Sequence, residues 1–91
     1  MTFLMTRIHV NDYDAWKPMF DSDPPRARRS AKGHRILRSV EDPNEVFVQV
    51  EFASANDAKA AHERLLASGV LDRVTVTSAP TITEVAETVA Y

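Results

Sequence analysis

A chain of 91 residues makes one domain, expected to span 1–91, and only roughly 60 to 65% of its unfolded surface can be buried on folding, so its core is modest. With 44% hydrophobic residues, 26% charged residues and two glycines it has a globular composition, and having no cysteine it carries no disulfide, thiolate metal site or cysteine nucleophile. The net charge of -2 conceals an asymmetry: residues 24–40 hold six of the eleven basic groups (Arg26, Arg28, Arg29, Lys32, Arg35, Arg38) and no acid, leaving five basic and thirteen acidic residues elsewhere.

Residues 2–10 (TFLMTRIHV) are β-prone, with Leu4, Thr6, Ile8 and Val10 on one face and Phe3, Met5, Arg7 and His9 on the other. Asn11 is the expected helix N-cap, with Asp14 three residues on as a carboxylate variant of the capping box. Tyr13, Trp16 and Phe20 then recur at i, i+3 and i+7, the spacing of a buried helical stripe. Pro18 removes a backbone donor, and Pro24-Pro25 should end a helix near residues 21–23. The first helical region is therefore expected in two pieces: a regular helix from about Lys17, and a short helix over residues 25–31 with Gly33 as its stop.

Residues 35–52 (RILRSVEDPNEVFVQVEF) read as a β-hairpin whose punctuation is Glu41-Asp42-Pro43-Asn44-Glu45. A turn over residues 42–45 with Pro43 second puts Ile36, Arg38 and Val40 on a face with Phe47, Gln49 and Glu51. A five-residue loop closing at Val40 and Val46 swaps those partnerships. Ser54 with Asp57 predicts a second helix, lined on one face by Ala58, Ala61, Leu65 and His62 and stopped at Ser68-Gly69. Residues 70–77 read as either a helical turn before a short strand or a connection, and the last strand is expected over residues 81–87, after Pro80.

The order β-α-β-β-α-β defines an α+β, ferredoxin-like domain: a four-stranded antiparallel sheet with its helices on one face. Two helices cover one face only, and monomers seldom expose large apolar patches, so sheet-to-sheet homodimerisation is expected. The longest apolar runs fall short of the roughly 20 residues that span a bilayer, and no signal-peptide pattern is present, so no membrane partner and a cytoplasmic location are expected.

These pieces resemble the small dimeric α/β-barrel proteins of the antibiotic biosynthesis monooxygenase-like and polyketide cyclase-like group. The residues that carry the likeness are Asp12-Tyr13-Asp14-Ala15-Trp16-Lys17 with Phe20-Asp21, then Arg38-Ser39, Asp42-Pro43-Asn44-Glu45-Val46, Glu51-Phe52 and Ala58-Lys59-Ala60. The likeness spans residues 6–60, with a weaker echo at residues 80–85. It implies a ferredoxin-like protomer, a dimer made by packing sheets together, and a small-molecule cleft between sheet and helices. Members of that group oxidise aromatic polyketides without metal or flavin, cyclise polyketides, or degrade haem. The haem-degrading branch's Asn, Trp and His set has no matching positions here, and Pro18 and Pro24-Pro25 depart from a helix that relatives run continuously.

Candidate site residues follow from residue type and expected face. Trp16, Tyr13 and Phe20 suit an aromatic ligand, although such a stripe is more often plain core. Arg38 and Arg7 suit polarisation of a ligand oxygen, and His62 and His34 are the catalytic candidates because imidazole handles protons near neutral pH. His9 is the third histidine. No H-x-H or H-E-x-x-H spacing occurs, so no metal is expected. There is no glycine-rich phosphate loop, and the resemblance implies chemistry without a cofactor, so none is expected. The cluster Arg26, Arg28, Arg29 and Lys32 suits an anion or an acidic patch of a partner subunit, against the plainer reading of a solvated face. Nucleic acid is not an expected partner, since the chain is acidic overall and has no helix-turn-helix or RNA-binding aromatic motif. The resulting expectation is a homodimer that binds or transforms a small apolar or aromatic molecule in a sheet-helix cleft. The alternative is a non-catalytic dimeric module for assembly or partner recognition.

Overall fold

The computed structural model describes residues 1–23, 26 and 28–91. Its elements run β1 (Thr2–His9), α1 (Tyr13–Ser22), β2 (Ala31–Arg38), β3 (Glu45–Phe52), α2 (Ala55–Ser68), a short 3-10 helix (Val70–Arg73) and β4 (Thr75–Glu84). The four strands form one antiparallel sheet in the order β2-β3-β1-β4. This is the expected α+β, ferredoxin-like arrangement.

Period-two alternation decides what the sheet buries. Leu4 and Ile8 of β1 sit opposite Val50 and Val46 of β3, and these residues, with Val48 and Phe52, are buried beneath the helices. Ala58 and Ala61 of α2 are fully buried, and their small side chains let the helix come close to β1 and β3. Trp16 is the buried residue of α1, with Tyr13, Met19 and Phe20 packed around the same core. The opposite face, carrying Phe3, Met5, Arg7 and His9 of β1 beside Phe47, Gln49 and Glu51 of β3, has no helix over it among the described residues.

Several local expectations are corrected. Asp12, not Asn11, is the N-cap of α1: its Oδ1 accepts the Asp14 N–H at 3.1 Å. Pro18 lies inside α1 without breaking it, so the helix is one piece from Tyr13, held by that cap and by the Trp16 stripe. It ends at Asp23, whose left-handed backbone (φ 48°) returns its N–H to the Phe20 carbonyl. Pro24, Pro25 and Ala27, on which the second short helix depends, lie outside the described residues; residues 28–30 form a turn, and Ala31 already opens β2.

In the hairpin, the expected turn with Pro43 second is present, since the Glu45 N–H donates to the Asp42 carbonyl at 3.0 Å. The strands nevertheless pair Arg38 with Val46 and Leu37 with Phe47, which is the swapped partnership. Ser39 N–H reaches the Glu45 carbonyl at 3.0 Å, so Val40 and Glu41 are looped out and Val40 is fully exposed. Arg38 and Gln49 therefore lie on opposite faces.

The Ser54 cap forms as expected, its Oγ accepting the Asp57 N–H at 3.2 Å, and Gly69 stops α2 with a φ of 71° that suits glycine. Residues 70–77 resolve into a 3-10 turn followed by a strand. β4 starts at Thr75, six residues before the expected boundary, and passes through Pro80. A proline is tolerated there because β4 is an edge strand and its pairing with β1 shifts register between Met5 and Arg7, opposite Thr81 and Ser78.

Candidate functional site

The stripe of α1 meets the covered face of the sheet without filling the space beneath it. A cavity of about 90 Å³ remains between the sheet, α1 and the segment that follows α2. Leu4, Ile8, Val48 and Val50 form its floor, Trp16 and Phe20 one wall, and Leu65 and Leu71 another. Among the described residues the only charged ones lining it are Asp23 and Arg28, whose side chains are 23% and 16% exposed and so mark where it opens to solvent.

Arg28 is fixed by three features. Its guanidinium carbon lies 3.9 Å from the centre of the Phe20 ring, Nη2 donates to the Phe20 carbonyl, and Nε stands 3.6 Å from Asp23 Oδ1. Asp23 Oδ2 also accepts the Arg28 backbone N–H at 3.1 Å. The helix terminus and the turn that follows it thus hold each other in place beside the opening.

Of the expected site residues, Trp16 and Phe20 line this cavity, their rings 5.1 Å apart and tilted by 35°. Tyr13 stacks obliquely on Trp16 at 5.8 Å but does not line the cavity. His34, on β2, is exposed and is not among the residues lining the cavity, but it meets the Phe20 ring edge-on at 5.2 Å. Its pKa is lowered by burial and then by the positive charges of Arg28 and Lys17, with Asp21 opposing, which favours the neutral imidazole. Arg38 lies 3.9 Å over the Tyr13 ring and donates to the Pro43 carbonyl at 2.8 Å, which makes it a brace between hairpin and helix. His62 is half-buried on α2 and is not among the residues lining the cavity.

Arg7 belongs to a separate cluster on the uncovered face. Its Nε donates to Glu45 Oε1 at 2.8 Å, Thr77 Oγ1 donates to the same oxygen at 2.7 Å, and His9 Nδ1 lies 3.2 Å from Glu45 Oε2. These partners hold the Glu45 carboxyl below the usual glutamate range, the Thr77 hydroxyl contributing most, then Arg7 and His9, with burial opposing. One ligand atom from each of His9, Asp42 and Glu45 falls within 4.8 Å of the others, but Arg7 already neutralises Glu45, so the cluster acts as an ion-pair network. Arg7 and Trp16 stand on opposite sides of the sheet and cannot serve one ligand.

Sequence reasoning missed two things here. The sequence groups Arg28 with Arg26, Arg29 and Lys32, as an anion site or a solvated face, and nothing at its position marks it as the one that turns inward. The meeting of residues 9, 45 and 77 depends on strand register, which no local motif encodes. The chain matches no protein-family model and no curated protein.

Proposed function

We propose that this protein binds a small apolar or aromatic molecule in the cavity beneath α1, as a homodimer joined through the uncovered faces of its sheets. The observation that carries the binding reading is the cavity itself: about 90 Å³ of apolar space walled by two aromatic rings, in the position between sheet and helices where a cleft was expected. The space is smaller than the engineered apolar cavities of about 150 Å³ that take up benzene, so a single ring would fill it and reach into the opening beside Asp23 and Arg28. The likeness to monooxygenase-like and cyclase-like proteins supports the same reading. For a ligand that is transformed as well as bound, His34 is the proton-handling group of this proposal in preference to His62, because its ring touches Phe20, which lines the cavity.

The dimer is supported by what the uncovered face displays. Met5 and Leu37 are 36% and 39% exposed there, beside Phe3 and Phe47, so one side of a 91-residue protein carries a partly apolar sheet with no cover.

Trp16 is the only tryptophan and lines the cavity, so its fluorescence reports on this site alone. Titration with benzyl alcohol or indole should change the Trp16 emission (for indole, the quenching of the protein signal after subtraction) and raise the melting temperature by mass action. Unchanged melting and emission at millimolar ligand would overturn the binding reading. Sedimentation equilibrium at micromolar concentration should give a dimer that Met5→Asp dissociates; a monomeric native protein would remove the assembly part.

A further inference from the structure

The chemistry at the opening narrows the ligand class, on the assumption that the cavity binds a small apolar molecule as proposed above. We propose that the cavity takes a small organic anion, an aromatic or short branched carboxylate, with its hydrocarbon part between Trp16, Phe20 and the sheet and its carboxylate on the Arg28 guanidinium.

Four observations point this way. First, apart from the Thr6 hydroxyl the described lining is apolar except at the opening, so a charged ligand group finds a charged partner only where Asp23 and Arg28 stand. A ligand cation there would face Arg28, while a ligand anion meets a guanidinium that is already oriented. Second, Arg28 keeps donors to spare. A guanidinium has five N–H groups, and the side-chain contacts described for Arg28 engage Nη2 with the Phe20 carbonyl and place Nε 3.6 Å from Asp23 Oδ1. The Phe20 ring beneath the guanidinium fixes its plane, which suits it to a planar carboxylate.

Third, the charges felt beside the Phe20 ring favour an anion over a cation. Lys17 and Asp21 form an ion pair at 2.6 Å on α1, and Asp23 Oδ1 stands 3.6 Å from Arg28 Nε. At His34, beside the same Phe20 ring, burial disfavours the imidazolium most, and among the charges Arg28 and Lys17 disfavour it more than Asp21 favours it. Burial penalises an anion as well, but the charges favour one in the same place. Fourth, the turn that carries Arg28 belongs to the basic segment of residues 24–40, which contains no acid, so a diffusing anion is drawn toward this end of the molecule.

The test is a pair of near-isosteric probes, benzoate and benzyl alcohol, titrated against Trp16 fluorescence in wild type, Arg28→Gln and Arg29→Gln at low salt. Arg29 is exposed and does not line the cavity, so its variant controls for general positive charge. The expected result is benzoate binding at least tenfold tighter than benzyl alcohol in wild type, with the preference falling below threefold in Arg28→Gln and persisting in Arg29→Gln. Equal binding of the two probes to wild type, or a preference that survives Arg28→Gln, overturns the anion assignment and leaves the proposed apolar site standing. Binding of neither probe overturns both. Should Arg28→Gln fail to give a native circular dichroism spectrum, the wild-type preference and its salt dependence decide. A tenfold preference that weakens between 20 and 500 mM salt upholds the assignment, and one that is absent or independent of salt overturns it.

Discussion

The Asn44 side chain ties the hairpin loop to the start of α1: its Oδ1 accepts the Tyr13 backbone N–H at 3.3 Å, and its Nδ2 donates to the Asn11 carbonyl at 3.2 Å. The Asn44 carbonyl also accepts the Val10 N–H at 2.9 Å, so three bonds from one residue set where the chain leaves β1 and turns into the helix. The Asp42-Pro43-Asn44 run therefore has two functions. Asp42 Oδ1 accepts the Asn44 N–H at 3.1 Å and shapes the turn, and Asn44 uses that shape to orient the helix bearing Trp16 and Phe20. Asn44→Ala removes both side-chain bonds and should destabilise the fold by about 1–3 kcal/mol, read as a lower urea midpoint at unchanged m-value. Asn44→Asp keeps the acceptor for Tyr13 and should fall between the two. A midpoint equal to wild type for the alanine variant would show that the loop orients α1 without this side chain.

Glu45 gives the molecule a definite response to acid. Its carboxyl is held below the usual glutamate range by Thr77, Arg7 and His9, so the folded state binds this proton less readily than the unfolded chain does. The stability it contributes is fully present above the unfolded value near 4.5 and is lost as the pH falls through the lower folded value. Glu45→Gln should therefore lower the melting temperature at pH 7 while differing little from wild type near pH 3. A variant deficit that stayed constant from pH 7 to pH 3 would assign the effect to hydrogen bonding alone.

Pro18 lies in the interior of α1, where it supplies no N–H to the preceding turn. Proline inside a helix costs about 3 kcal/mol relative to alanine, and part of this is returned because proline also restricts the unfolded chain. Pro18 is exposed, so removing its ring loses little packing. Pro18→Ala should stabilise the protein by about 1–2 kcal/mol in chemical denaturation. A loss of stability would mean that α1 is bent by Pro18 into the shape the core needs.

Much of the fold was legible because it rests on short-range physics. Alternating apolar residues marked β1 and β3, Ser54 and Gly69 bounded α2, and the turn at residues 42–45 formed with Pro43 in its expected place. Two of the failures, at Pro80 and in the hairpin, share a cause: a local signal outweighed by non-local pairing. Pro80 was read as a strand boundary, yet an edge strand with a register shift accommodates it. The hairpin parity turned on whether Val40 pairs or loops out, and an apolar residue at full exposure gives no warning of the latter. For the candidate site, the aromatic stripe was visible from its spacing, whereas the inward turn of Arg28 depends on where α1 ends and on Phe20 and Asp23 receiving it.

The cavity beneath α1 makes a prediction that separates unused space from a binding site. Unfilled apolar volume costs about 24 cal/mol per Å³, so about 90 Å³ corresponds to an upper bound of about 2 kcal/mol, reduced here because the space opens to solvent. Leu65 is half-buried on α2 and lines the cavity, so a larger side chain at this position grows into the void. Leu65→Phe should stabilise the protein by about 1 kcal/mol or leave it unchanged, whereas enlarging a side chain in a tightly packed core destabilises by about 1–3 kcal/mol. The same variant should weaken the response of Trp16 fluorescence to benzyl alcohol at least tenfold, because it occupies the volume the ring would take. A stable Leu65→Phe protein that still bound the probe as wild type does would place the ligand elsewhere, and a destabilised one would show that the wild-type packing leaves no room beneath α1.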